Sequence, residues 1–335
     1  HAPVKRHIFP PKDYEKWTRI CEHIIMHYNE GWADGHHWNI RYWEIWNESD
    51  GHGNQWLGTP EEFYKLYCVS ATYLKKRFPD LKIGGCGWTR AYNDFTVGFL
   101  KYISSQPERI PLDFYSWHRY FADMKSFFTQ YNKSLEMLKE YGYEDAENVF
   151  DEWNYMENWD NQPASYIKLK NYIGAAFCAA TMAALQTKTN IALATYFECD
   201  VVKEWTGQFD VAEMSIGAHG RKASVKKLPP FYSFKYFGEL YRLGTSVETE
   251  TEGENIYAAA AVGNNGKEVL FSYYVFGEAA DKEVTFELDG FDREPIVTVI
   301  DKTRTNEVIH VDSKVSDGKA VFTLTLSNDT VIKIS

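Results

Sequence analysis

Between residues 41 and 200 the chain alternates five times between a short, largely apolar run and a longer stretch of helical periodicity. The runs are 41–48, 82–89, 112–120, 148–155 and 191–200. Helical patterns cover 59–78, 93–106, 123–141 and 163–188 between them, with one more at 13–30 before the first run and one at 231–243 after the last. Parallel strands need a crossover of a dozen or more residues, which a helix normally fills. A repeat of roughly 30–45 residues therefore predicts an α/β fold on a parallel sheet. Local signals agree. Thr59-Pro60-Glu61-Glu62 has a capping residue, a proline suited to the first helical turn, and a glutamate that completes a capping box.

The ends of these strands are polar. The first runs Arg41-Tyr-Trp-Glu-Ile-Trp-Asn-Glu48, an aromatic strand pattern that finishes on an amide and a carboxylate. Trp88, His118 and Tyr120, Glu152 and Asn154, and Tyr196 and Glu198 hold the matching places on the next four. Function gathers at the C-terminal ends of the strands in a (β/α)8 TIM-type barrel, so this placement predicts that fold.

The texture changes after residue 244. Short alternating runs at 255–262, 267–275, 282–288, 295–301, 320–326 and 330–334 are separated by turn signals such as Gly263-Asn-Asn-Gly266. They predict a C-terminal antiparallel β-sandwich. The expected division is a barrel domain over 1–244, incomplete at its N-terminus, and an accessory sandwich over 245–335. The segment 201–228 reads as a charged loop.

The net charge of −11 disfavours nucleic acid as a partner. The longest nearly apolar run, 173–185, is too short to span a bilayer, so no membrane partner is expected. The five cysteines have no metal-site spacing and read as buried thiols. His23 with His27, and His36 with His37, lack the carboxylate partner of a metal motif, so neither a metal nor another cofactor is expected. The chain opens on His and has no signal-peptide pattern. A processed periplasmic or secreted protein looks the same, which leaves its location open.

Glu48 and Glu152 are the chemistry-bearing pair. A glycosidic bond breaks through an oxocarbenium-like transition state, which requires one carboxylic acid to protonate the leaving oxygen and a second carboxylate to attack or to activate water. Taken singly, each glutamate is most simply a solvated or structural carboxylate. Two of them at the ends of apolar strands on one barrel face make a catalytic pair the better reading. Asn47 is placed to bond a sugar hydroxyl. Trp159 and Trp205 serve equally well as sugar platforms or as loop anchors.

The series Tyr42-Trp-Glu-Ile-Trp-Asn47-Glu48, Asp113-Phe-Tyr-Ser-Trp-His118-Arg-Tyr120 and Glu152-Trp-Asn154 resembles the clan A glycoside hydrolases, and family 39 in particular, which includes β-xylosidases and α-L-iduronidases. The likeness covers residues 9–243. It implies a retaining β-glycosidase with Glu48 as acid/base and Glu152 as nucleophile. His118 and Tyr120 would line the pocket, with Tyr120 bonding the nucleophile. An endo-acting clan A hydrolase and a non-catalytic carbohydrate-binding homologue or subunit are the alternatives.

The sequence departs from the family pattern in three ways. The Asn-Glu strand is the fourth of a clan A barrel, yet only 40 residues precede it here. The first three β/α units are absent, and a separate N-terminal segment is expected to complete the barrel. The last strand presents Tyr196 and Phe197 where the family has Trp. Finally, Asp151 precedes the nucleophile, and strand alternation predicts that it faces away from Glu152.

Overall fold

The computed structural model describes residues 8–51, 53–199, 204–217 and 220–335, with the side chains of 212–223 left aside. The chain divides into two compact units. One comprises His1–Arg119, Lys125–Trp153 and Ile191–Thr195, the other Tyr120–Met124, Asn154–Asn190 and Tyr196–Ser335.

In chain order the first elements are α1 (Tyr14–Asn29), β1 (Tyr42–Glu44), α2 (Pro60–Arg77), β2 (Lys82–Trp88), α3 (Asp94–Ser104), β3 (Phe114–Phe121), α4 (Met124–Glu140) and β4 (Glu147–Tyr155). Then follow α5 (Gln162–Leu169), α6 (Tyr172–Lys188) and β5 (Leu193–Tyr196). The five strands form one sheet in the order β1-β2-β3-β4-β5, and β1–β2 and β2–β3 pair in parallel. This is the strand–helix alternation read from the sequence. Among the described residues the sheet has five strands, not the eight of a closed barrel.

In the first unit, helices pack on the sheet through aromatic rings. Tyr67 and Phe63 of α2, Phe99 of α3, and Trp88 and Tyr115 of the sheet are fully buried. Trp117, Phe127 of α4 and Phe150 form a second such group, with Trp117 and Phe150 4.4 Å apart. Full burial of each large side chain contributes roughly 1.5–3 kcal/mol. The capping box of α2 forms as expected, Thr59 N–H donating to Glu62 Oε2 at 2.7 Å and Glu62 N–H to Thr59 Oγ at 3.2 Å.

Three expectations need correction. The first strand stops at Glu44 instead of continuing to Glu48, because Trp46 and Glu48 have φ of 72° and 48° and leave the extended region. The helix expected over 163–188 is two helices. Asn171 breaks it, its side chain accepting from Ile173 N–H at 2.8 Å and so capping α6. The expected loop over 201–228 holds an antiparallel pair, β6 (Phe209–Gly217) and β7 (Gly220–Lys227), while 201–203 lie outside the described residues.

The second unit is built around α6. Its residues Gly174 to Ala184 are all buried, as suits a helix that is apolar on every side. It packs on α7 (Pro229–Leu243) and on a six-stranded sheet. The remaining strands are β8 (Thr245–Val247), β9 (Ile256–Gly263), β10 (Gly266–Tyr273), β11 (Lys282–Asp289), β12 (Val297–Ile300), β13 (Thr305–Ile309), β14 (Lys314–Ser316), β15 (Lys319–Leu326) and β16 (Thr330–Ile334). One sheet runs β13-β12-β16-β10-β9-β8 and the other β11-β15-β14. Their inner faces share a core of Phe271, Val299 and Ile332 against Val284, Phe286 and Phe322. The six-stranded sheet turns its other face to α6, where Ser272 Oγ donates to Ala176 O at 2.9 Å. β8, β13 and β14 went unread in the sequence. They are three to five residues long, too short to show a period.

Candidate active site

The first unit gathers Glu48, His118 and Glu152 at the sheet's C-terminal edge. β1 delivers Glu48 indirectly. After the strand ends, Ile45 N–H still donates to Gly84 O at 3.0 Å, and Glu48 N–H donates to Gly87 O at 2.9 Å. Between these two anchors the backbone turns through the left-handed Trp46. Trp46 is fixed by its indole N–H on Gln55 O at 3.0 Å and by the rings of Trp56 and Trp17. β2 makes room for the turn. A Cβ on Gly87 would stand 3.0 Å from both Asn47 Oδ1 and His118 Nε2, and its φ of +52° also favours glycine.

His118 is the hub. Its side chain is 3% exposed, and Nδ1 lies 2.8 Å from Glu48 Oε1 and 3.8 Å from Glu152 Oε2. Burial alone would lower the imidazole. The Glu48 hydrogen bond and the charges of Asp151, Glu152 and Glu48 outweigh it and push His118 up to about 9. The ring is therefore a cation near neutrality. One oxygen of Glu48 and one of Glu152 lie within 4.8 Å of each other and of the imidazole nitrogen. Such a trio can hold an ion, but the nitrogen is already hydrogen-bonded to Glu48, and we assign no metal here.

Asp151 corrects a further expectation. It does not turn away from this group, for its Oδ1 is 3.7 Å from His118 Nε2. Phe150 packs against Trp117 and Phe127, so alternation puts its neighbour Asp151 on the opposite face, that of His118. Glu152 follows on the strand and still reaches the same ring. Burial first, and then the carboxylate of Glu44, push Asp151 up to about 8, against the opposing pull of His118.

Sequence reasoning overlooked three positioning residues. Glu44 accepts from Ser116 Oγ, which itself accepts from Gly87 N–H at 2.9 Å. Asp50 ties the loop after β1 to the loop after β2, accepting from Thr89 N–H at 2.9 Å, Thr89 Oγ at 2.7 Å and Asn93 Nδ2 at 2.6 Å. Asp50 was visible two residues after Glu48, but its partners are about forty residues distant in the chain. Asn47, by contrast, is exposed beside Glu48.

Trp88 was expected to meet substrate. It is fully buried among Phe63, Phe95, Phe99 and Tyr115, and serves the core. His23 and His36 stack on Trp32 and Trp38 at 4.6 and 4.2 Å.

The second unit has its own aromatic group. Tyr120 meets Trp159 at 5.4 Å, Trp205 at 4.9 Å and Phe197 at 6.3 Å, all close to edge-on. Trp159 is 53% exposed, and Phe197 is half-buried. Asn154, expected to bind sugar, is fully buried. Its amide donates to Phe197 O at 2.5 Å and Trp205 O at 3.0 Å, so it clamps the two loop backbones instead. Tyr196 has its ring against Phe234 at 5.0 Å and a buried hydroxyl next to Gly207, where a Cβ would come within 2.4 Å of the oxygen. That oxygen is thus also turned inward.

Residues 3–213 match the family model of Glycosyl hydrolases family 39. The chain belongs to this family. A beta-xylosidase of Caldicellulosiruptor saccharolyticus is 30% identical over 174 residues, 48% of this chain and 33% of that enzyme. A beta-xylosidase of Geobacillus stearothermophilus is 32% identical over 138 residues, 40% of this chain and 26% of that enzyme. The matched stretch thus spans at most a third of either relative's length. Among solved structures, a glucosidase from Croceicoccus marinus aligns with a TM-score of 0.74 at 21% identity, covering 97% of this family 39 chain and 75% of that one. A monomeric beta-xylosidase from Caulobacter crescentus CB15 aligns at 0.66 and 14% identity, covering 98% and 75%. At those identities the likeness establishes a fold in common with the TIM-barrel-like family 39 structures. No described helix is long and apolar enough to cross a membrane.

Proposed function

We propose that this chain is a retaining glycoside hydrolase acting on a β-linked glycoside. The observation that carries the reading is the approach of Glu48 and Glu152 to within 4.8 Å with His118 beside both. Retaining enzymes hold their carboxyls about 5–5.5 Å apart, whereas inverting enzymes need about 6.5–9.5 Å for a water. In the first step Glu48, as the acid, protonates the leaving oxygen while Glu152 attacks the anomeric carbon. In the second, Glu48 as base takes a proton from water, which releases the sugar from Glu152. Asn47, exposed beside Glu48, bonds a sugar hydroxyl. Tyr120 and Phe197 are proposed as further sugar contacts on the strength of their places at strand ends. In this reading the five-stranded sheet belongs to a (β/α)8 barrel, residues 1–244 are catalytic, and 245–335 are an accessory β-sandwich.

The test is release of aryl alcohol from a panel of aryl glycosides. The aryl β-xyloside comes first, because the matched relatives are beta-xylosidases. Release with retained configuration at the anomeric carbon, followed by NMR, is the expected result. Sugar binding with no release from any member would make the chain a carbohydrate-binding homologue instead.

A further inference from the structure

The reaction just described uses Glu48 and Glu152, with His118 beside both, and gives Asp151, Glu44 and Ser116 no step in the chemistry. Yet these three form a connected group directly behind the imidazole. Gly87 N–H donates to Ser116 Oγ at 2.9 Å, and Ser116 Oγ donates to Glu44. The Asp151 carboxyl lies against the Glu44 carboxylate, and its other oxygen faces His118 Nε2 at 3.7 Å. Gly87 has no side chain to separate Glu44 from His118, since a Cβ there would be 3.3 Å from Glu44 Oε1 and 3.0 Å from His118 Nε2.

We propose that Asp151 is a positioning residue for His118: from behind the ring its carboxylate holds the imidazolium that bonds Glu48. This inference rests on the glycosidase reading for its catalytic consequence, but not for its electrostatics. His118 has acidic groups at both ends of its ring. Glu48 and Glu152 face Nδ1 from the β1 tip and β4, and Asp151 faces Nε2 with Glu44 behind it. Among the described residues, Cys86 and Asp50 also lie within electrostatic reach of this group. Cys86 is fully buried, and Asp50 is held by Thr89 and Asn93.

Ionised, Asp151 is an anion 3.7 Å from Nε2. That anion then delays loss of the ring proton. Removing it has a definite sign: His118 deprotonates at lower pH. A residue that only fills space would leave that midpoint alone.

The experiment follows the ring signals of His118 by NMR titration in the full chain, with kcat/KM against pH on an aryl β-xyloside beside it. Asp151→Asn keeps the shape and a donor to Glu44 but cannot ionise. It is expected to lower the His118 midpoint by about one pH unit and to move the alkaline limb of kcat/KM the same way. Glu44→Gln removes the neighbour and leaves Asp151 able to ionise, so the His118 midpoint stays high. An unchanged midpoint in Asp151→Asn overturns the proposal, and so does an equal fall in both variants. The NMR shift without turnover by the unaltered chain would uphold the Asp151 role and defeat the glycosidase reading. Turnover with no NMR shift would do the reverse.

Discussion

The two proposed catalytic carboxylates reach the same imidazole by different means. Glu152 lies within β4, a regular nine-residue strand whose neighbour Phe150 is locked in the core. Glu48 lies beyond the end of a three-residue strand, on a tip whose backbone is left-handed at Trp46 and again at Glu48 itself. A non-glycine residue in that region costs roughly 1–2 kcal/mol, which the surrounding structure has to offset. Here the offset comes from two backbone hydrogen bonds to β2 and from the seating of Trp46 against Trp56 and Gln55. The geometry of Glu152, the proposed nucleophile, is thus set by its strand, while that of Glu48, the proposed acid/base, is a tertiary product of its neighbours.

The largest expected effect separates the two carboxylates by chemistry. Glu152→Gln should lower kcat by on the order of 10⁴-fold or more for every substrate, because no covalent intermediate can form. Glu48→Gln should cost a comparable amount on substrates with poor leaving groups. On activated aryl glycosides, which leave without protonation, the glycosylation step should lose only about tenfold. Pre-steady-state bursts on an activated and an unactivated substrate distinguish the two. An equal loss on both substrates in Glu48→Gln would remove the acid/base assignment.

The contrast also explains what could be read from the sequence. β4 was legible because Asn148 to Tyr155 has enough apolar residues to declare a strand, and the polar Glu152 stands out against them. The Asn47-Glu48 tip was recognised by its residue types, but its backbone was not, since nothing in Trp46-Asn-Glu48 announces left-handed conformations at Trp and Glu. The same limit hid the Glu44–Ser116–Asp151 group. Its members belong to three strands, and only the pairing of the sheet brings them together. Trp88 and Asn154 fit the strand-end pattern by position, yet one is core and the other a backbone clamp. A pattern of positions gives no direction to a side chain near a strand's end. The hairpin β6–β7 escaped because a bulge between Val211 and Glu213 shifts the phase of the apolar alternation from Phe209 to Ile216, and its partner Gly220–Lys227 is rich in basic residues.

A smaller effect should follow from disturbing the support of each tip. Gly87→Ala introduces a methyl 3.0 Å from Asn47 Oδ1 and His118 Nε2 at a φ of +52°. We expect it to lower both stability, by about 1–2 kcal/mol, and kcat/KM, by roughly tenfold. Phe150→Leu, under β4, should cost about 1–1.5 kcal/mol of stability and leave kcat/KM near its starting value, because the strand's hydrogen bonds hold Glu152 in place. Denaturant melts and steady-state kinetics on the two variants provide the check. A loss of activity in Phe150→Leu matching that in Gly87→Ala would show the two tips to be equally dependent on their surroundings.

The smallest expected effect is in the pH dependence of stability, and it differs between the two ends of β4. At the beginning of the strand, Glu147 is paired with Lys82 and accepts from Tyr42 Oη at 2.7 Å. Burial opposes its charge, but these partners win and hold it below its usual 4.5. A depressed carboxylate stabilises the fold above its unfolded pKa and loses that contribution as pH falls through the folded value. At the end of the strand, Asp151 and its partner His118 are both raised, to about 8 and about 9. Raised groups contribute fully below their unfolded values, 3.8 and 6.5, and lose that contribution as pH climbs through the folded ones. The acid limb of a melting-temperature profile should therefore depend on Glu147, while the decline from pH 3.8 to about 8 belongs to Asp151 and that from 6.5 to about 9 to His118. Glu147→Gln should flatten only the first, and Asp151→Asn only the second, each by a few degrees at most. If Asp151→Asn left its part of the slope unchanged, the Asp151 proton would not be held by the fold.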